Sequence, residues 1–329
     1  MIWLQFALSS AAIVFAATRL ARYGDAIALR TGLARMFIGA LLLATATSLP
    51  EILTSISSFS QGVENLAAGN LFGSNSFNIL VLAIADMTSR NTRFLRLVSM
   101  RHALSGSGAM LMITLVVFFL IADIDVMIGW LGLDSIIVIA AYAGLIYLLR
   151  QSQPVRDEVD EDQDLTGVPT IRRSVIGFIA ATAIIAISSP QLVAGASGIA
   201  EVTGLGTSFI GASLVAAVTS LPELATTISL VRIGAEYMAV GNLFGSNMFN
   251  MFAFGFLDIF YTRGRFLGAV DHSFILVGLL GLLLTGIALV GNVAKLERRL
   301  FRLLEIDALL IIVLYVVGMW LAFSRGIAL

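Results

Sequence analysis

Residues 46–51 read ATSLPE and residues 69–78 read GNLFGSNSFN; residues 218–223 read VTSLPE and residues 241–250 read GNLFGSNMFN. A register shift of 172 residues lays 39–80 on 211–252 with 24 of the 42 aligned positions identical. The chain therefore contains an internal duplication. Each copy sets a proline and a glutamate, Pro50–Glu51 and Pro222–Glu223, inside strongly apolar sequence. Both residue types are costly there: proline breaks the helical hydrogen-bond ladder, and a carboxylate must be taken out of water. Finding the pair twice asks for a functional explanation.

The surroundings are those of a membrane protein. Of 329 residues, 58% are hydrophobic and 12% are charged, against about 25% charged in a soluble domain. Mean hydropathy is +0.96. Net charge is −1, which says little about partners when the charges are not spread over a wet surface. There is no cysteine, so neither a disulfide framework nor a thiolate metal site is available. His102 and His272 fall near expected helix ends and read as interfacial residues. The apolar N-terminus lacks a basic leading segment, and Arg19 and Arg22 follow it. It reads as a first transmembrane helix rather than a cleaved signal.

Apolar runs of about 20 residues are needed to span the hydrocarbon. Ten are expected, at 2–20, 34–60, 64–88, 103–121, 126–149, 173–198, 206–231, 236–261, 268–291 and 306–324. With the N-terminus outside, the inner loops collect 17 of the 20 basic residues, leaving Arg263, Arg265 and Arg325 outside. This asymmetry follows the positive-inside rule and puts both termini outside. Five helices separate each residue from its counterpart, an odd number, so the two copies are expected to enter the membrane in opposite directions. The expectation is an all-α membrane protein of ten helices in two inverted five-helix repeats, 1–149 and 173–329. An acidic cytoplasmic linker at 150–172 joins them. That linker lacks the glycine and terminal glutamate spacing of an EF-hand and reads as a solvated tether.

Inverted repeats are typical of secondary transporters, with the binding site at the repeat interface near the bilayer midplane. Each proline is expected to free carbonyls in the preceding turn, around Ala44–Thr47 and Ala216–Thr219. Such carbonyls are tolerated in a membrane where they line a cavity. Glu51 shares its helix face with Thr47, Thr54 and Ser55, and Glu223 with Thr219, Thr226 and Thr227. Asn70, Ser74 and Asn78 make one polar stripe; Asn242, Ser246 and Asn250 make its copy. Gly69 with Gly73, and Gly241 with Gly245, form neighbouring small-residue stripes for close helix packing. The repeat-related Asp86 and Asp258 sit at helix ends and read as interfacial structural residues.

Carboxylate, amide, hydroxyl and carbonyl oxygens without imidazole or thiolate suit hard cations such as Ca²⁺ and Na⁺. Two ionised glutamates would be neutralised by one Ca²⁺ or two Na⁺. The two ions would then compete for one site, and exposing that site alternately to the two sides is antiport. A channel or ion-sensing receptor is the rival from another class, though channels commonly repeat acidic rings by rotation across subunits. No catalytic triad, nucleotide loop or metal-hydrolase pattern points to an enzyme.

The paired TSLPE and GNxxGSNxxN motifs resemble the alpha repeats of the cation/calcium antiporter superfamily, in particular the prokaryotic sodium/calcium exchangers. The resemblance implies Na⁺/Ca²⁺ exchange by alternating access, with the first and sixth helices moving against the core. It implies ion ligands Glu51, Ser74, Asn78, Glu223, Ser246 and Asn250, joined by Thr47, Ser48, Thr219, Ser220 and the carbonyls of Ala44 and Ala216. Transported Ca²⁺ and Na⁺ take the place of a cofactor. The partners expected are inorganic cations and the lipid of the cell (inner) membrane, with no nucleic acid and a monomer as the expected working unit. Two departures stand out: Ala46 and Val218 occupy positions that are glycine in many relatives. Asn250 replaces the aspartate linked to K⁺ binding in potassium-dependent members, so no potassium requirement is expected. An H⁺-coupled Ca²⁺ (or Mn²⁺) antiporter on the same fold stays open as the alternative, because buried glutamates also carry protons.

Overall fold

Long apolar runs ended by charge fold here as long helices. The computed structural model describes residues 1–31, 43–88, 99–151, 167–232, 236–293, 299–300 and 304–324. In chain order the elements are α1 (Ile2–Arg30), α2 (Leu49–Ser60), α3 (Glu64–Thr88), α4 (Ser99–Ala122) and a two-stranded hairpin, β1 (Met127–Ile128) with β2 (Leu131–Gly132). Then come α5 (Leu133–Gln151), α6 (Ile171–Thr203), α7 (Thr207–Ile210), a π-helical turn at Gly211–Val215 and α8 (Ala216–Thr219). The chain continues with α9 (Leu221–Arg232), α10 (Glu236–Leu257), α11 (Phe266–Ala269), α12 (Phe274–Val293), a second hairpin of β3 (Arg299–Leu300) with β4 (Leu304–Glu305), and α13 (Ile306–Ala322).

Six stretches among the described residues are helical, long and apolar enough to cross a membrane: Ile2–Ile27, Glu64–Met87, Ala103–Ala122, Leu133–Gln151, Ile171–Thr203 and Thr207–Arg232. Phe274–Val290 and Asp307–Ala322 are shorter apolar helices. Outward faces are greasy: Trp3, Leu4, Leu8 and Phe15 on α1, and Ile176, Ile179 and Ile187 on α6, are exposed. Such faces suit lipid and not water. The molecule is an all-α membrane protein apart from two small hairpins among the described residues.

Two expected boundaries are corrected. The fifth expected span was to begin at 126, but Met127–Gly132 form the first hairpin, turning at Gly129 with φ +68°. Apolar letters there belong to a turn that only glycine enters without strain. The ninth was to begin at 268, but α12 starts at Phe274, where the Asp271 carboxylate accepts the Ser273 amide and ends the preceding turn. The second expected span is described only from residue 43, and most of the expected linker lies outside the described residues.

The helix α3 is the buried centre, with 83% of its most apolar window inside the protein. It lies very close to the 207–219 segment. A Cβ on Gly69 would sit 2.6 Å from the Ser208 carbonyl oxygen and 2.8 Å from the Ala212 amide nitrogen. One on Gly211 would meet the Leu66 carbonyl at 2.6 Å, and one on Gly73 would run into the Ala212 carbonyl. Backbone contact at this range is what small-residue stripes permit. Gly73→Ala is therefore expected to destabilise the protein by about 1–3 kcal/mol through overpacking, read as a lowered unfolding temperature in detergent. Gly144→Ala is the control: among the described residues nothing beyond its own helix backbone and chain neighbours lies within 4 Å of the added Cβ, and loss of helical glycine entropy makes it neutral or stabilising.

α1 and α6 pack against each other along their length. Gly177 receives the ring of Tyr23, a Cβ on Gly195 would sit 3.1 Å from Phe6, and one on Gly198 would sit 3.0 Å from Ile2. At one end of the bundle a charged clamp joins the two halves of the chain. Arg265, its side chain 6% exposed, donates through Nη1 to Asp134 (2.7 Å), through Nη2 to Asp123 (2.8 Å) and through Nε to Asp125 (3.2 Å). Asp134 is fully buried. The buried Asp258 carboxylate accepts the amides of Gly132 (2.8 Å) and Phe266 (2.6 Å), tying the first hairpin to the α10–α11 connection. Asp258 is thus a helix-end structural residue, as the sequence suggested.

Candidate cation site

Both motif helices break at the same residue. Ser48 (φ −89°, ψ 5°) and its repeat counterpart Ser220 (φ −91°, ψ 4°) leave helical geometry, and α2 and α9 start immediately after them. The prolines, second in each new helix, need no donor there. Glu51 and Glu223 fall in the first turns, where the positive end of the helix dipole favours an anion.

The two carboxylates are held crosswise. Glu51 Oε1 accepts from Ser74 of its own copy (3.3 Å) and from Ser220 of the other (3.1 Å). Glu223 Oε1 accepts from Ser246 of its own copy (3.5 Å) and from Ser48 of the other (3.4 Å). Thr47 Oγ1 meets Ser246 Oγ at 3.4 Å, and Thr219 donates to Asn70 Oδ1 at 2.9 Å. Asn70 Nδ2 in turn donates to the Glu51 carbonyl at 3.3 Å. Thr47, Ser48, Glu51, Ser74, Asn78, Thr219, Ser220, Glu223, Ser246 and Asn250 are all buried, none more than 1% exposed.

Four oxygens in this buried cluster lack a partner among the described residues: Glu51 Oε2, Glu223 Oε2, Asn78 Oδ1 and Asn250 Oδ1. Buried acceptors are normally satisfied, so one open oxygen on each carboxylate together with two open amide oxygens suit a cation. No three His, Cys, Asp or Glu side chains gather into a metal site among the described residues. The cluster offers two carboxylates and otherwise neutral oxygens, a donor set for a hard ion.

Of the carbonyls expected to be freed around Ala44–Thr47 and Ala216–Thr219, those of Ala44 and Ala216 are not freed, which is a correction. Each accepts the amide four residues ahead, from Ser48 and Ser220, at 3.0 Å, and a threonine hydroxyl at 3.3 Å. A proline deprives the carbonyl four residues before it, which here belongs to Ala46 and Val218. Three participants were missed by sequence reasoning. Asn75 and Asn247 lie inside the quoted motifs but off the every-fourth-residue stripe. Ser189 accepts a 3.4 Å bond from Thr54, and nothing in its local sequence announces that contact.

The two copies differ in their surroundings. Thr54 is buried and bonded to Ser189 on α6, and Gln61 donates to the Pro190 carbonyl at 3.1 Å. Its counterpart Thr226 instead lines a cavity of about 220 Å³ between α1 and α9, beside Thr18, Arg22 and Asp25.

Helices broken at matching serines around one shared pair of buried carboxylates define a multi-pass membrane antiporter for cations. The chain belongs to the sodium/calcium exchanger protein family, whose model matches residues 1–150 and 173–324. It is 28% identical over 254 residues to the putative antiporter CaxA of Alkalimonas amylolytica, covering 73% of this chain and 75% of that one. Its fold is like that of the sodium-calcium exchanger NCX_Mj, with TM-score 0.63 at 20% identity over 97% of this chain and 99% of the other. It is also like that of the H⁺/Ca²⁺ exchanger CAX, with TM-score 0.67 at 17% identity over 98% and 89%.

Proposed function

We propose that this chain exchanges Na⁺ for Ca²⁺ across the cell membrane by alternating access at the Glu51–Glu223 site. On this reading ten helices form two inverted five-helix repeats, 1–149 and 173–329, around the linker 150–172, with both termini outside and a monomer as the working unit. The observation that carries it is the crosswise cage: each carboxylate is bonded to hydroxyls from both copies and keeps one oxygen open. Glu51, Ser74, Asn78, Glu223, Ser246 and Asn250 would bind the ions. Thr47, Ser48, Thr219 and Ser220 would complete the shell, and the carbonyls of Ala44 and Ala216 would join it by releasing their threonine hydroxyls.

Matching architecture in the two copies supports the duplication. Leu49–Ser60 recurs as Leu221–Arg232, helices begin at Glu64 and Glu236, and hairpins begin at Met127 and Arg299, each 172 residues apart. The open cavity at Thr226 and the closed contact at Thr54 suit a carrier whose site is reached from one side at a time.

Proton coupling is the second reading, favoured by the likeness to the H⁺/Ca²⁺ exchanger fold and by two buried carboxylates able to carry protons. Calcium uptake into proteoliposomes separates the readings. Sodium-loaded vesicles diluted into sodium-free medium should accumulate Ca²⁺, and dissipating the sodium gradient should stop it. Uptake driven only by a pH gradient would transfer the protein to the proton-coupled reading. No uptake under either gradient would overturn both.

A further inference from the structure

We propose that Asn247 is a positioning residue that turns the Asn78 amide so that its oxygen, and not its nitrogen, faces the cation. This rests on the cation site proposed above and concerns a residue outside that ligand set. An asparagine can bind a metal ion only through Oδ1, because its NH₂ group presents hydrogens. The two ends have nearly the same shape, so something must choose between them.

The choice is made by a short chain of bonds with a fixed origin. Asn247 Nδ2 donates to the backbone carbonyl of Asn75 at 3.2 Å. That carbonyl can only accept, so the NH₂ end of Asn247 faces it and Oδ1 points the other way. Oδ1 then accepts from Asn78 Nδ2 at 3.0 Å. Only the NH₂ end of Asn78 fits opposite an acceptor, so Asn78 Oδ1 is turned away from Asn247. It is buried and has no partner among the described residues. Asn78 stands one helical turn beyond Ser74, which bonds the Glu51 carboxylate at 3.3 Å. A carbonyl of α3, relayed through Asn247 on α10, thereby sets which atom Asn78 of that same α3 helix offers to the ion. The mirror arrangement is not made: Asn75 and Asn250 have neither side-chain end partnered among the described residues.

The distinguishing feature of a carboxylate is that both ends are oxygen, so an aspartate at position 78 needs no orienting partner. The test is equilibrium radiocalcium binding to the purified full-length protein in sodium-free detergent, for the unmodified chain, Asn247→Ala, Asn78→Asp and the double variant. Asn247→Ala should weaken Ca²⁺ binding by roughly ten- to a hundredfold, the usual cost of removing a residue that orients a metal ligand. In the Asn78→Asp background the same substitution should cost less than about threefold, well below that range. An equal loss in both backgrounds would overturn the proposal, since a merely structural role would not depend on which group stands at 78. Should Asn247→Ala fail to fold, Asn247→Asp with its buried carboxyl protonated can still donate to the Asn75 carbonyl and accept from Asn78 Nδ2, and should bind Ca²⁺ about as well as the unmodified chain. A tenfold or greater loss there would also overturn it. Absence of saturable binding by the unmodified chain would overturn the cation-site reading and this inference together.

Discussion

Glu51→Gln and Glu223→Gln, each alone and both together, are expected to lower the rate of calcium exchange by more than about a hundredfold, beyond the upper cost of losing an outer-shell partner. The substitution keeps the shape but turns one acceptor oxygen into an NH₂ donor and removes one of the two charges that a divalent ion needs. Stability should move the other way. A charged side chain at the centre of a span costs about 2.5–3.5 kcal/mol on insertion scales, and a neutral amide relieves that cost. The variants should therefore unfold in detergent no earlier than the unmodified chain while failing to transport. Equal loss of transport and of unfolding temperature would mean that the glutamates hold the fold together, and the proposed site would have to be abandoned.

Arg265→Leu is expected to act almost entirely on stability. It strips the partner from Asp134, which is fully buried, and breaking a buried pair on one side costs about 3–5 kcal/mol. Asp123 and Asp125 are 59% and 87% exposed, so their bonds to Arg265 add at most about 1 kcal/mol each. Arg265→Leu combined with Asp134→Leu should recover most of the loss, because an apolar pair of similar volume replaces a buried ion pair at little net cost. The measurement is the unfolding temperature of both variants in one detergent. A double variant no more stable than the single one would show that Arg265 acts chiefly through the exposed aspartates.

Much of the scaffold was legible because period and charge act locally. The third expected helix, 64–88, matches α3, and the eighth, from 236, begins where α10 does. Each opens with a glutamate, which favours a helix start, and continues without interruption. The hairpin at Met127–Gly132 was read as helix because its few residues are as apolar as a span and its strands are two residues long. The helix breaks were expected from the prolines but fall at Ser48 and Ser220. The crosswise partners of the glutamates lie 169 and 175 residues away in sequence. Their identity could be inferred from the repeat, whereas their pairing is a property of the packing. Arg265 and its aspartates, 131 to 142 residues apart, carry no periodic signal at all.

The partners of the two carboxylates have a consequence for leakage. Among the described residues, every side chain bonded to the Glu51 or Glu223 carboxylate offers a hydroxyl, and none is a lysine or arginine that would offset the charge. An empty carrier would have to shut two mutually repelling charges into a dry interior to return to the opposite face. A loaded carrier closes around a neutral assembly. On the proposed reading the return stroke is barred unless another ion boards, so one gradient cannot drain away without lifting the other. The same two acids that attract the cargo would keep the turnstile from spinning free.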